Sequence, residues 1–302
     1  MRGRDSGRGS GGGSRAGGSG SAPYALTSDD SPTRGSRNAP GAVEGQTRAR
    51  GGERSAGRGA PPTPRRQEPE LADDVSLAEL DRAVRAELAT LAAVNADIVG
   101  KHLAMAGRLL KENPEAAYEH AIAARGRASR VASVREAAGI SAYVTGRFAE
   151  ALAELRAARR MSGDLSALPL MADCERGLGR PERSLALSTS PEVARLDKAG
   201  QVEMAIVASG ARRDMGQAHA AALLLEGPEL KPSRRQAWSA RLFYAYAEAQ
   251  LEAGDVAKAE VWFGHAVDAD EMGQTDADER LAELGGVTMV EYHDSDDPED
   301  SP

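Results

Sequence analysis

From Val75 onward, apolar residues return every three or four positions. Leu77, Leu80, Val84, Leu88 and Leu91 form the first such stripe, a spacing that places side chains on one face of a helix. Ser76 and Glu79 stand at capping-box spacing, with Val75 and Leu80 placed to close a hydrophobic staple around it. The helical period continues to Leu284, and no segment alternates as a half-buried strand does. The pattern predicts an all-α chain. It places a helix from Ser76 at the start and a short closing helix in "TDADERLAEL", begun by a Thr275/Asp278 capping box.

A longer period lies over the helical one. In "AAGISAYVTGRFAEALAELRAARR", Ala137 to Arg160, two apolar-periodic stretches meet at Gly146 with no residues to spare for a loop. Small or apolar residues stand at Gly139, Ala151, Leu155 and Ala158 around that turn. The same offsets recur at Ala172, Gly179, Ser184, Ser188 and Pro191; at Ser209, Gly216, Ala221, Leu225 and Pro228; and at Ala247, Gly254, Ala259, Phe263 and Ala266. A weaker copy has Met105, Glu112, Ala117, Ala121 and Ala124. Successive turn positions, Glu112, Gly146, Gly179, Gly216 and Gly254, are 34, 33, 37 and 38 residues apart.

This pattern resembles the tetratricopeptide repeat, a helix-turn-helix unit of about 34 residues. Gly139 and Ala151 let the two helices of a hairpin approach closely, and Ala158 lets the next hairpin pack on the second helix. Gly146 takes the left-handed turn conformation without steric cost. The resemblance implies a right-handed helical-hairpin solenoid of about five units over residues 98–273. A capping helix over 71–97 precedes it and one over 274–285 follows. Pro191 and Pro228 stand where an alanine is expected, which implies shortened second helices. The alternative is an irregular helical bundle, since an Ala-rich helical chain shows some small residues at any chosen offset. The arrangement is also similar to actinobacterial tetratricopeptide-repeat proteins with an Arg/Gly-rich leader, a likeness that implies no particular activity.

Composition divides the chain. The first 66 residues hold 12 arginines and five acids, near +7, and everything after Arg66 is near −15, so the overall −8 conceals a basic arm on an acidic body. Residues 1–70 are Gly, Ser, Arg and Pro with one aromatic, Tyr24, and are expected to be disordered. An acidic tail over 286–302, with six acids from Glu291 on, is expected to be disordered too. Cys174 is the one cysteine, which excludes an intrachain disulfide. No apolar stretch suits a signal peptide or a membrane span. The expectation is a cytoplasmic chain that makes no membrane contact. Arg outnumbering Lys 33 to five hints at a GC-rich bacterial source.

Little in the chain points to catalysis. His102, His120, His219, His265 and His293 fall on different units or in the tail, without metal-ligand spacing to carboxylates. "GRGSGG", Gly7 to Gly12, fits a phosphate-loop pattern by composition alone. No enzyme activity, cofactor or metal is expected. Counting along the first helices instead gives an inner face at His102 and Leu109; Glu136, Ile140 and Tyr143; Asp173 and Arg176; Ile206 and Arg213; and Arg241, Tyr244 and Glu248. Tyr143, Arg176, Arg213, Arg241 and Tyr244 are the candidate anchors for a protein or peptide partner, with Asp173, Asp214 and Glu248 partly offsetting the arginines. Gly139, Gly146, Ala151, Ala158, Gly179, Gly216, Ala221, Gly254, Ala259 and Ala266 are expected to carry repeat packing. On this reading, charge reversal at Arg176 and Arg213 abolishes partner capture without melting the fold. The expected function is a protein-interaction scaffold. The alternative is an RNA-associated accessory factor, in which residues 1–66 make weak, salt-sensitive contact with RNA or DNA.

Overall fold

The computed structural model of the chain describes residues 68–285. The disorder expected of the leader and of the acidic tail, and nucleic-acid contact by residues 1–66, therefore lie outside the described residues, apart from residues 68–70. Among the described residues there are twelve α-helices, two short 3-10 turns and no strand. After α1 (Arg82–Leu88) come five hairpins. They are α2 (Ala93–Leu109) with α3 (Pro114–Ala128), α4 (Ala132–Val144) with α5 (Phe148–Ser162), α6 (Leu168–Gly177) with α7 (Pro181–Ser188), α8 (Lys198–Asp214) with α9 (Ala218–Leu225), and α10 (Ser239–Glu252) with α11 (Val256–Ala269). A last helix, α12 (Ala277–Leu284), packs on α11. Each second helix rests on the first helix of the next hairpin, so the fold is an all-α helical-hairpin solenoid.

Four of the five hairpin turns repeat one device. Gly146, Gly179, Gly216 and Gly254 have φ of 72°, 69°, 71° and 89°. At each, the glycine N–H and the following N–H donate back to the last turn of the preceding helix. Gly146 donates to the Tyr143 carbonyl at 2.9 Å and Arg147 to the Ala142 carbonyl at 2.8 Å. That pair of bonds satisfies two carbonyls a helix end would otherwise leave open, and only glycine enters the left-handed region freely. The first hairpin has Glu112 there instead. Its second helix restarts on Asn113, whose side chain accepts from the Ala116 N–H at 3.1 Å, with Pro114 at the first helical position.

Packing follows the small residues. Gly139, Ala151, Ala158, Ala221, Ala259 and Ala266 are all buried. In the weak first copy the close contact belongs to Ala106, buried with Ala121 and Ala138, while Met105 is only half-buried. The prolines truncate as expected. α7 and α9 have 8 residues each, against 15, 15 and 14 in α3, α5 and α11. Pro191 opens a 3-10 turn, Pro191–Arg195. Where α9 stops short, an open cleft of about 100 Å³ remains, lined in part by Val202, Ala205, Leu225 and Leu242.

Two expectations at the ends need correction. The Ser76/Glu79 capping box forms, but it caps a 3-10 turn, Leu77–Glu79, and the chain is extended at Leu80 before α1 begins. This break lets Leu77 lie over Gly100, where a Cβ would stand 2.6 Å from Leu77 Cγ, while Leu88 packs with Val99 and Val134. The capping region is thus a turn and a short helix, and the first hairpin starts at Ala93, inside the expected 71–97 cap. At the other end, Thr275 does not cap α12. Its N–H and hydroxyl both donate to Asp270 Oδ2, at 2.7 and 2.8 Å, which removes it from the box.

Candidate functional site

The first helices of neighbouring hairpins lie against one another, α2 on α4, α6 on α8 and α8 on α10. Second helices have no comparable mutual packing, so the first helices line the inner, tighter side of the stack. All five candidate anchors stand on these helices, and four of them, Tyr143, Arg176, Arg213 and Arg241, bridge from one to the next.

The Tyr143 hydroxyl on α4 donates to Asp173 Oδ2 on α6. Asp173 Oδ1 accepts from Arg176 Nη1 at 2.6 Å, and Arg176 crosses to α8, where Nε donates to Asp214 Oδ2 at 2.9 Å. On α8, Arg213 Nη2 reaches both Glu248 and Glu252 of α10 at 2.7 Å. Arg241 of α10 returns to Glu203 of α8 at 2.8 Å. Arg280 of α12 closes the run on Glu248 Oε1 at 2.9 Å. The result is a ladder of charges and hydroxyls linking α4, α6, α8, α10 and α12. Tyr244 is buried on α10, its ring edge-on to Phe263 at 5.6 Å between centroids.

The acids expected to offset the arginines are therefore their direct partners. Four guanidiniums, Arg176, Arg213, Arg241 and Arg280, are engaged by six carboxylates, Asp173, Glu203, Asp214, Glu248, Glu252 and Glu283, and Glu136 of α4 adds a seventh that pairs with none of them, so the face is acidic. Burial raises the Glu203 carboxyl above its ordinary pKa, with Arg241 working against that and Asp173 adding to it. Glu136, two turns before Tyr143 on the same side of α4, is raised by burial and by the negative charges of Asp164 and Glu87. Burial and Asp173 push the Tyr143 phenol well above its usual value. For Arg176, burial opposes the charge, but Asp173 and Asp214 outweigh it and raise its pKa.

Of the remaining inner-face positions, Ile140 and Ile206 are buried in hairpin cores. His102 does not face inward at all. It is buried between α2 and α3, where its Nδ1 stands 3.0 Å from Nδ1 of His120, also buried. The two histidines belong to one hairpin, which the assignment to separate units missed. Folding the chain about Glu112 brings them nearly level, and that was the available signal. A second, part-buried cluster ties α3, α4 and α5 together: Glu154 of α5 receives Arg125 at 2.7 Å and Arg135 at 2.8 Å. Cys174 is buried, and burial pushes its thiol far up, which leaves it without thiolate character.

Among the described residues, no group of three or more His, Cys, Asp or Glu is placed to hold a metal ion, and no helix is long and apolar enough to cross a membrane. Comparison of the sequence with protein-family models and with curated proteins finds no match.

Proposed function

We propose that this chain is a non-enzymatic interaction scaffold, related in architecture to tetratricopeptide-repeat proteins and working in the bacterial cytoplasm. Its inner face receives a basic peptide or helix from a partner protein. The observation that carries this reading is the surplus of carboxylates over guanidiniums along α4, α6, α8 and α10. A face whose arginines are already engaged by its own acids has no spare positive charge for a peptide carboxylate. It does have a half-buried carboxylate, Glu136, beside the negative charges of Asp164 and Glu87, that gains from an incoming cation. The four-glycine turn device and the near-constant repeat length support the repeat assignment.

The test is fluorescence anisotropy of the full chain with labelled basic, neutral and acidic peptides of equal length. Basic peptides alone are expected to bind, with affinity falling as salt rises. Glu136→Gln is expected to lose about tenfold, or about 1.4 kcal/mol, with its melting temperature preserved; Glu203 is kept because it holds Arg241 at 2.8 Å. Equal binding of acidic peptides, or unchanged affinity in the folded Glu136→Gln variant, defeats the reading.

A further inference from the structure

The connection from α11 to α12 is the most acidic part of the fold. Six acids stand between Asp268 and Glu279, with no lysine or arginine among them. Among the described residues, only Asp268 of the six forms an ion pair, with Arg235 at 3.8 Å. We propose that this loop holds one calcium ion, bound by the Gln274 amide oxygen and the Asp276 carboxylate with water completing its shell, and that the ion fastens the closing helix α12.

An acidic run by itself is a solvated surface, and two buried oxygens set this one apart. Gln274 is 6% exposed, and its Oε1 is buried with no hydrogen-bond donor. Asp276 Oδ1 is buried without one as well. Asp276 is the N-cap residue of α12, where a carboxylate ordinarily accepts from N–H groups of the first turn, and here its side chain does not. The loop's own donors are spent elsewhere. Asp270 Oδ1 accepts from the Gln274 N–H at 2.7 Å, and its Oδ2 takes the N–H and the hydroxyl of Thr275 at 2.7 and 2.8 Å. Buried acceptors left open are costly, a carboxylate oxygen most of all, so both oxygens favour a positive group. Residues two apart have Cα atoms no more than about 7 Å from one another, which suits two ligands of one ion. An amide oxygen, a carboxylate oxygen and water are donors for a hard cation. Calcium tolerates such an irregular set, whereas magnesium demands a near-ideal octahedron. A bridging water satisfies both oxygens but leaves the charge of the five unpaired acids as it was, and that charge selects the ion. Asp278 and Glu279, in the first turn of α12, offset the helix dipole that a cation there would meet. The consequence falls on α12. It packs on α11, its Ala277 and Leu281 join the last hairpin's core, and its Arg280 reaches Glu248 at 2.9 Å. An ion at its start fixes the helix that ends the inner ladder.

The experiment titrates EDTA-treated full-length protein with calcium chloride, and in parallel with magnesium chloride, in about 0.15 M potassium chloride, where exposed charges are screened. Calorimetry is expected to show one calcium site with a Kd of about 0.1–1 mM and weaker magnesium binding. Amide signals of Gly273, Gln274, Thr275 and Asp276 should shift in step with saturation. Asp276→Asn keeps the shape of the side chain and removes its charge, and should bind calcium about tenfold more weakly. Gln274→Met removes the amide oxygen and stands in if the first variant does not fold. It should lose calcium binding and, in EDTA, melt no lower than the natural chain, because a buried unpaired acceptor has gone. No saturable heat or shift up to about 10 mM calcium overturns the proposal. Unchanged affinity in both folded variants, or shifts spread over all the acids and reproduced by potassium alone, means an adventitious ion only and overturns it too. Magnesium binding as tight as calcium binding overturns the calcium assignment.

Discussion

Gly139 on α4 lies directly against Leu155 on α5: a Cβ at position 139 would stand 2.7 Å from Leu155 Cγ and 3.2 Å from its backbone nitrogen. Leu155 is fully buried, so neither the side chain nor the helix behind it has room to retreat. Gly139→Ala gains up to about 1 kcal/mol of helix propensity and incurs about 1–3 kcal/mol of overpacking. The overpacking wins because part of the obstacle is backbone. The expected outcome is a net loss of about 1–2 kcal/mol in urea unfolding. A stabilised variant would mean that α4 and α5 can separate at no cost.

The turn glycines answer to a different cause. At Gly216, with φ of 71°, a Cβ would meet nothing within 4 Å, so space is not the constraint. Gly216→Ala should cost about 1–2 kcal/mol through the left-handed backbone alone, and Gly216→Asn less, because asparagine tolerates that region. Thermal unfolding of the pair checks the ordering. Equal losses would show that the turn is held by its flanking helices and not by its own conformation.

Arg176 and Arg213 are the rungs of the inner ladder, and their reversal bears on stability before it bears on binding. Arg176→Glu sets a carboxylate against buried Asp173 and against Asp214; Arg213→Glu does the same against Glu248 and Glu252. Gly210 leaves Arg176 its path, since a Cβ there would stand 2.5 Å from the guanidinium carbon. Both arginines are about a quarter exposed, so solvent screens part of the effect. Each reversal is expected to cost about 2–4 kcal/mol, read as a lowered urea midpoint. The double variant is therefore a poor probe of partner capture, contrary to what the sequence suggests. Full retention of stability would show that these pairs are free to be replaced by a ligand.

The extent to which these features were readable from sequence follows from how local each cause is. Gly139, Ala151 and Ala266 were legible because close helix approach demands small residues wherever it occurs. Pro191 and Pro228 foretold the short α7 and α9 because proline lacks the N–H a helix interior needs. Tyr143, Arg176, Arg213, Arg241 and Tyr244 all stand on first helices, α4, α6, α8 and α10. The inner-face offsets did not reveal that the arginines would be consumed by acids one hairpin away, since that depends on the spacing between units. The break at Leu80 was likewise invisible. An unbroken apolar period runs through it, and the contact the break serves, Leu77 over Gly100, lies between residues remote in sequence.

The histidine pair makes the last prediction, on pH. One Nδ1 of His102 and His120 must donate and the other accept across 3.0 Å, so protonating either leaves two donors face to face. Burial lowers the pKa of His102 to about 4, with His120 adding to the effect, and burial lowers His120 as well. A folded pKa below the unfolded value of about 6.5 means the unfolded chain binds the proton more readily. Stability is then fully present above about pH 6.5, declines as pH falls, and has lost this contribution below about pH 4. The loss for His102 is about 3 kcal/mol. Glu136 and Glu203 act in the opposite sense, because their raised pKa values make the native state favour protonation. Between pH 6.5 and 5, His102→Gln separates the histidine contribution from theirs. Urea unfolding across that interval is expected to fall toward about 1.4 kcal/mol per pH unit, and His102→Gln should flatten the slope. A pH-independent natural chain would show that the pair is relieved by water or by rotation of one ring, and that α2 and α3 are not held together by it.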